Sequence, residues 1–154
     1  MNKLWLLGLL VGMAGLQACR PSMELPRLPF SQMSDEEQIA LVLAEVEQGF
    51  ERRRANRVLA HISRHYKDET GLDYEAVSHL LNDRLRQYRE IRITRMQPQI
   101  RVDGDHAQVI ETLGAAAQPA DPVATPPFDV QGSIVVYLER HADTWQITGY
   151  RSAS

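Results

Sequence analysis

A single cysteine, Cys19, occurs in the 154 residues. No disulfide can form within the chain, so the fold has to stand on its apolar core alone. Basic charge is not in excess either, with 17 Lys and Arg against 20 Asp and Glu and a formal net charge of −3. That balance argues against nucleic acid as the main partner, because such a partner calls for a basic surface. A membrane-crossing helix needs about 20 apolar residues to cover ~30 Å of hydrocarbon, and the run from Leu4 to Leu16 has only 13. Missing too are a nucleophile elbow, a glycine-rich phosphate loop, a paired His/Asp pattern and any internal repeat. No reaction is therefore announced by a motif.

What is present begins with an address. Lys3 is a short basic segment, and the apolar run behind it completes the parts of a secretory signal. Leu16, Gln17 and Ala18 then occupy the −3, −2 and −1 positions before Cys19. This stretch resembles the lipobox of bacterial lipoproteins. The resemblance implies a signal peptide over residues 1–18, a diacylglyceryl group on the sulfur of Cys19, and an acyl chain on its new amino terminus. Two or more chains hold a protein stably at a membrane, whereas one does so only marginally. By the sorting rule of that family, Arg20 rather than Asp after the cysteine directs the protein to the outer membrane, which places it on the periplasmic face. Removal of residues 1–18 leaves 136 residues with a net charge of −4, enough for one domain. Residues 19–33 carry Pro21, Pro26 and Pro29 and read as a lipidated tether with a reach of ~20–40 Å.

The domain spans residues 34–151. Ser34 followed by Glu37 is a capping box, and Ile39, Val42, Leu43, Val46 and Phe50 recur on one helical face behind it. Asn56 suits the cap of a second helix with Val58, Leu59, Ile62 and Tyr66 as its apolar set, and Asp73 that of a third reaching about Tyr88. Alternating strands follow over 91–96, 99–102, 107–113, 132–140 and 144–151, with a turn at Asp103-Gly104-Asp105. Residues 114–128, rich in Ala and Pro, read as a long loop and not as a central strand.

Three segments in this order resemble the NTF2-like, or SnoaL-like, superfamily. They are the first helix running into Arg53 and Asn56, the segment Val102 to Val109, and Gly132 to Leu138 leading to Trp145 through Tyr150. The resemblance implies an α+β fold, a cystatin-like roll in which three N-terminal helices pack on a curved antiparallel sheet. It also implies a pocket that some members use for catalysis and others for binding or assembly. Fold alone does not choose between these. The expected function is a membrane-anchored, non-enzymatic module that takes a small apolar ligand or an envelope protein. The alternative is a pocket enzyme of the isomerase, cyclase or hydratase type.

Alternation puts Ile134, Val136 and Leu138 on one face of their strand, and Trp145 and Ile147 on one face of the last, as core. Ala107, Val109, Glu111 and Leu113 share a face, so Glu111 points inward if that face does. At ~100° per residue, Arg84 falls within the apolar arc of Val77, Leu81 and Tyr88 on the third helix. A buried charge requires a partner, which makes Arg84 and Glu111 a candidate pocket pair with Tyr66, Tyr88 and Trp145 as candidate lining. On the competing reading, Arg84 snorkels to solvent, Glu111 faces out beyond a bulge, and the aromatics are core or rim. His61 and His65 are one helical turn apart with no convincing third ligand and read as a solvated pair, so no metal or other cofactor is expected. Arg52, Arg53, Arg54 and Arg57 form either a contact for anionic lipid or envelope polymer, or a solvated helix end. Val135 and Tyr137 face away from the core and suit a homodimer or partner surface.

The first expected outcome concerns the anchor. Cys19→Ala should abolish incorporation of a radiolabelled fatty acid into the protein in growing cells, and labelling that persists in the variant would exclude the lipoprotein reading.

Overall fold

The computed structural model describes residues 33–153, so Leu16, Gln17, Ala18, Cys19 and the tether up to residue 32 lie outside the described residues. Helix α1 covers Asp35–Glu51. Its start follows from the capping box: Ser34 Oγ accepts from the Glu37 N–H at 3.2 Å, and the Glu37 carboxylate accepts from the Ser34 N–H at 2.8 Å. Ile39, Val42 and Leu43 are buried on one face, with Val46 and Phe50 packed at its edge. Helix α2 is short, Ala55–Leu59, and α3 covers Tyr74–Gln87, capped by Asp73.

The second helix is five residues long and does not continue to Tyr66, and Arg54 rather than Asn56 stands at its N-cap. The reason lies in backbone hydrogen bonds to the last strand. The His61 carbonyl accepts from Ile147 N–H at 2.8 Å, and the N–H groups of Ser63 and Lys67 donate to Ile147 and Thr148. Those bonds to a sheet edge replace the helical ones. His61 and His65 therefore do not share a helix face.

The five strands are β1 Tyr88–Arg95, β2 Gln99–Asp103, β3 His106–Pro119, β4 Phe128–His141 and β5 Thr144–Ser152. All pairings are antiparallel, in a curved, unclosed sheet of order β1-β3-β4-β5. Along the remaining edge of β3, β2 pairs with its first half and β1 with its second. Pro98 sits in the break between them, where a missing N–H costs no ladder bond. Ala142 and Asp143, with φ of 45° and 64°, form the tight turn between β4 and β5; two successive positive φ values give the twist that such hairpins need.

Residues 114–128 are not one long loop. Strand β3 runs on to Pro119, and β4 begins at Phe128. Gly114 to Ala117 are paired on both sides, with β1 and with β4, and this two-sided pairing outweighs the weak strand preference of alanine. Pro119 closes the strand at its end, where proline is tolerated.

Helices α1 and α3 cover one sheet face. Val109, Val136, Leu138, Trp145 and Ile147 meet Ile39, Val42, Leu43, Val77 and Leu81 there. Leu80 of α3 is exposed. On the opposite face Val135 is buried and not open, and the Tyr137 hydroxyl accepts from Arg151 Nε at 2.8 Å. Strand β5 also approaches residues 67–68 closely at Gly149, where a Cβ atom would stand 2.6 Å from the Lys67 carbonyl oxygen. Gly149→Ala should therefore lower stability by about 2 kcal/mol or more, measured as the urea midpoint; an unchanged midpoint would show that this contact yields.

Candidate functional site

Strand alternation carries Ala107, Val109 and Glu111 to the inner face of β3, and Glu111 is only 3% exposed. Its partner comes from β1, where Ile91, Ile93 and Arg95 pair with Ala117, Ala115 and Leu113 of the same β3 face. Arg95 Nε stands 3.2 Å from Glu111 Oε1. The two atoms make no hydrogen bond with each other or with any described group, so their attraction is coulombic. The other end of the guanidinium is better bound. Arg95 Nη2 lies 3.1 Å from Glu47 Oε2 and donates to the Leu43 carbonyl at 3.0 Å, both on α1.

Burial pushes the Glu111 carboxyl above its ordinary value, Arg95 pulls it back, and the nearby Glu47 charge raises it further. One guanidinium thus serves two carboxylates. The arrangement can hold and release a proton at Glu111, or it can lock α1 to β1 and β3 by charge.

Arg84 does not take part. It is exposed on α3, as the competing reading has it, and Glu111 pairs with Arg95, so the candidate Arg84–Glu111 pair is not formed. The helical arc that includes Arg84 is wider than the face α3 buries, which is set by Val77, Leu81 and Leu85. The three aromatic candidates go to separate places. Tyr66 is buried and donates its hydroxyl to Asp68 Oδ2 at 3.3 Å, and burial, with the Asp68 charge, pushes that hydroxyl far above its usual range. Tyr88 is half-buried at the start of β1, where its carbonyl accepts from Arg53. Trp145 is core, with its indole N–H towards Asp35 Oδ1 at 3.4 Å and the Arg140 guanidinium 4.7 Å from its ring centroid.

His61 is half-buried, which lowers its pKa, and among the described residues no group of three metal-ligating side chains forms. Sequence reasoning missed Arg95 and Glu47. The signal for Arg95 was present, because it continues the Ile91, Ile93 alternation at the end of the strand. Surface crevices of about 520 and 340 Å³ are lined by His65 and His106 or by Leu59 and Tyr74, and Glu111 borders neither.

No protein-family model and no curated relative matches this sequence. Solved structures do share its shape. A candidate scytalone dehydratase from Novosphingobium aromaticivorans superposes with a TM-score of 0.67 at 12% identity, over 77% of this chain and 84% of that one. A candidate dehydratase of the NTF2-like family from Streptomyces avermitilis gives 0.59 at 14%, over 74% and 91%. A Nostoc punctiforme protein of unknown function with a cystatin-like fold gives 0.60 at 12%, over 78% and 92%. The chain therefore has the NTF2-like, cystatin-like fold. Identities this low establish the fold and no activity.

The ion network makes a pH-dependent prediction. Arg95→Met should cost about 3–5 kcal/mol at neutral pH by leaving the Glu111 charge buried and unpaired. A carboxyl whose folded pKa is raised contributes stability that is present at low pH and lost as pH rises through that value. In the variant the pull of Arg95 is gone, so its deficit should shrink on acidification as Glu111 takes up a proton. Urea unfolding at a series of pH values checks this, and a deficit independent of pH would contradict it.

Proposed function

We propose that the protein is a lipoprotein held by Cys19 at the periplasmic face of the outer membrane. Its NTF2-like domain acts there as a non-enzymatic binding or assembly module towards a small apolar ligand, an envelope protein or a second copy of itself. The observation that carries the non-enzymatic reading is the engagement of the buried Glu111 carboxylate by Arg95, which is itself paired with Glu47. A pocket enzyme needs an open cavity with at least two titratable groups converging on a substrate. Here the best-placed carboxylate is sealed against a guanidinium. The anchor rests on Leu16-Gln17-Ala18-Cys19 and on Cys19 being the sole cysteine.

A second reading has its own support. A buried carboxyl with raised proton affinity is what a general acid–base requires, and two proteins of similar shape are candidate dehydratases. On that reading Glu111 abstracts a proton next to a carbonyl in an elimination or hydration. Arg95 stands against it, since the adjacent cation offsets part of the rise that burial produces.

Native mass spectrometry of the purified mature protein separates the two. The binding or assembly reading expects a retained ligand or a defined oligomer, with no water elimination from β-hydroxy carbonyl compounds. A bare monomer that catalyses such an elimination, and loses it in Glu111→Gln, would overturn the first reading in favour of the second.

A further inference from the structure

A cluster of arginines lies away from Glu111, where α1 ends. The Arg53 N–H donates to the Phe50 carbonyl at 2.9 Å and the Arg54 N–H to the Gly49 carbonyl at 2.8 Å. This paired pattern ends a helix with a left-handed residue, a place normally given to glycine. Arg53 holds it instead, at a φ of 54°. A side chain in that conformation costs roughly 1–2 kcal/mol, so local stability alone would favour glycine. The turn sets Arg52, Arg53 and Arg54 around one crevice of about 660 Å³, with Arg57 of α2 and Arg86 of α3 on its other walls.

No Asp or Glu lines this crevice. Arg57 is engaged by Gln48 and Glu45, Arg86 by Asp83 and the Asn82 carbonyl, and Arg53 by the Tyr88 carbonyl. Arg52 and Arg54 have no side-chain partner among the described residues. Arginines lining one crevice are suited to an oxyanion with several acceptor oxygens, which a free guanidinium engages through paired N–H donors. The volume admits more than one phosphoryl group. Arg52 and Arg54 have no carboxylate partner among the described residues, and a bound anion supplies their counter-charge.

We propose that this crevice is a binding site for phosphate groups, supplied either by the phosphodiester headgroups of anionic phospholipids or by a soluble, multiply charged phosphate compound. Arg52 and Arg54 supply the uncommitted guanidinium groups, while Arg53, Arg57 and Arg86 are held in place by their existing partners and set the shape of the crevice. The site is independent of Glu111 and of whether the domain catalyses a reaction.

The test uses the full chain in nonionic detergent. Inorganic pyrophosphate is titrated calorimetrically, and the melting temperature is compared in micelles carrying phosphatidylglycerol or, as the neutral control, phosphatidylcholine. Pyrophosphate should bind at one site, more weakly as salt rises, and the double variant Arg52→Gln, Arg54→Gln should weaken it about tenfold or more while melting like the parent. Both side chains are exposed without partners, so the variant keeps its fold. Stabilisation by phosphatidylglycerol alone, lost in the same variant, would assign the site to a lipid headgroup; pyrophosphate binding alone would assign it to a soluble phosphate. Binding of neither probe, or binding unchanged in the double variant, would overturn the proposal.

Discussion

A carboxylate that is 3% exposed must either find a cation or give up its charge, and much of the domain is arranged around that requirement at Glu111. The cation is Arg95, and Arg95 is also tied to Glu47 and to the Leu43 carbonyl. One side chain thus joins the first strand, the central strand and the first helix. The contact also specifies register. Sliding β3 by one residue would turn Glu111 to the outer face and bring Ile110 and Thr112 inward, leaving Arg95 opposite no charge. Val109 and Ala107 would leave the core in the same step. The buried pair is weak evidence for stability in itself, because desolvation offsets most of its attraction. Its effect is to make the wrong registers worse.

The other end of α1 is fixed by a different set of charges. Arg140 near the end of β4 donates to Asp35 at 2.6 Å and to Asp105 at 3.1 Å, and its guanidinium lies over Trp145. The hydrogen bond from Arg140 holds the Asp35 carboxyl below its ordinary value. Asp35 also opens the helix, where a negative charge is favoured by the dipole. Glu47, three turns further on, reaches Arg95. The helix is therefore tied near both ends to different strands of the same sheet, β4 and β1, and its apolar stripe is held over Val109, Val136 and Leu138.

Much of this was legible in the chain. The capping box at Ser34, the stripe from Ile39 to Leu43, the Gly104 turn and the inward faces of Val136, Trp145 and Ile147 are local signals, and the structure keeps them. What failed to show were features decided by neighbours distant in sequence. Residues 114–117 become a strand because β1 and β4 pair with them from both sides, which no property of alanine or glycine announces. Residues 61–67 leave the helical pattern because the backbone of β5 competes for their hydrogen bonds. The apolar arc of the third helix points to Arg84 as a candidate cation for Glu111. The cation itself lies on a strand, at Arg95, where the alternation of Ile91 and Ile93 already pointed inward. A stripe on a helix tolerates a long charged residue at its border; an inward strand position has no such border, and it is the stronger predictor of burial.

The same ion network bears on whether the fold is used for chemistry. In a catalytic site a buried carboxylate is kept basic by apolar surroundings, so that its raised proton affinity can be spent on a substrate. Glu111 has the burial but not the isolation, for Arg95 works against the rise and Glu47 with it. The guanidinium is itself shared with a helix carbonyl and cannot turn towards a substrate without loosening α1. A ligand entering from the sheet face would have to displace that contact as well. The charge at Glu111 is therefore linked, through Arg95, to the attachment of the first helix. On the proposed binding reading the inner face is a fixed support, and recognition happens on the surface around it.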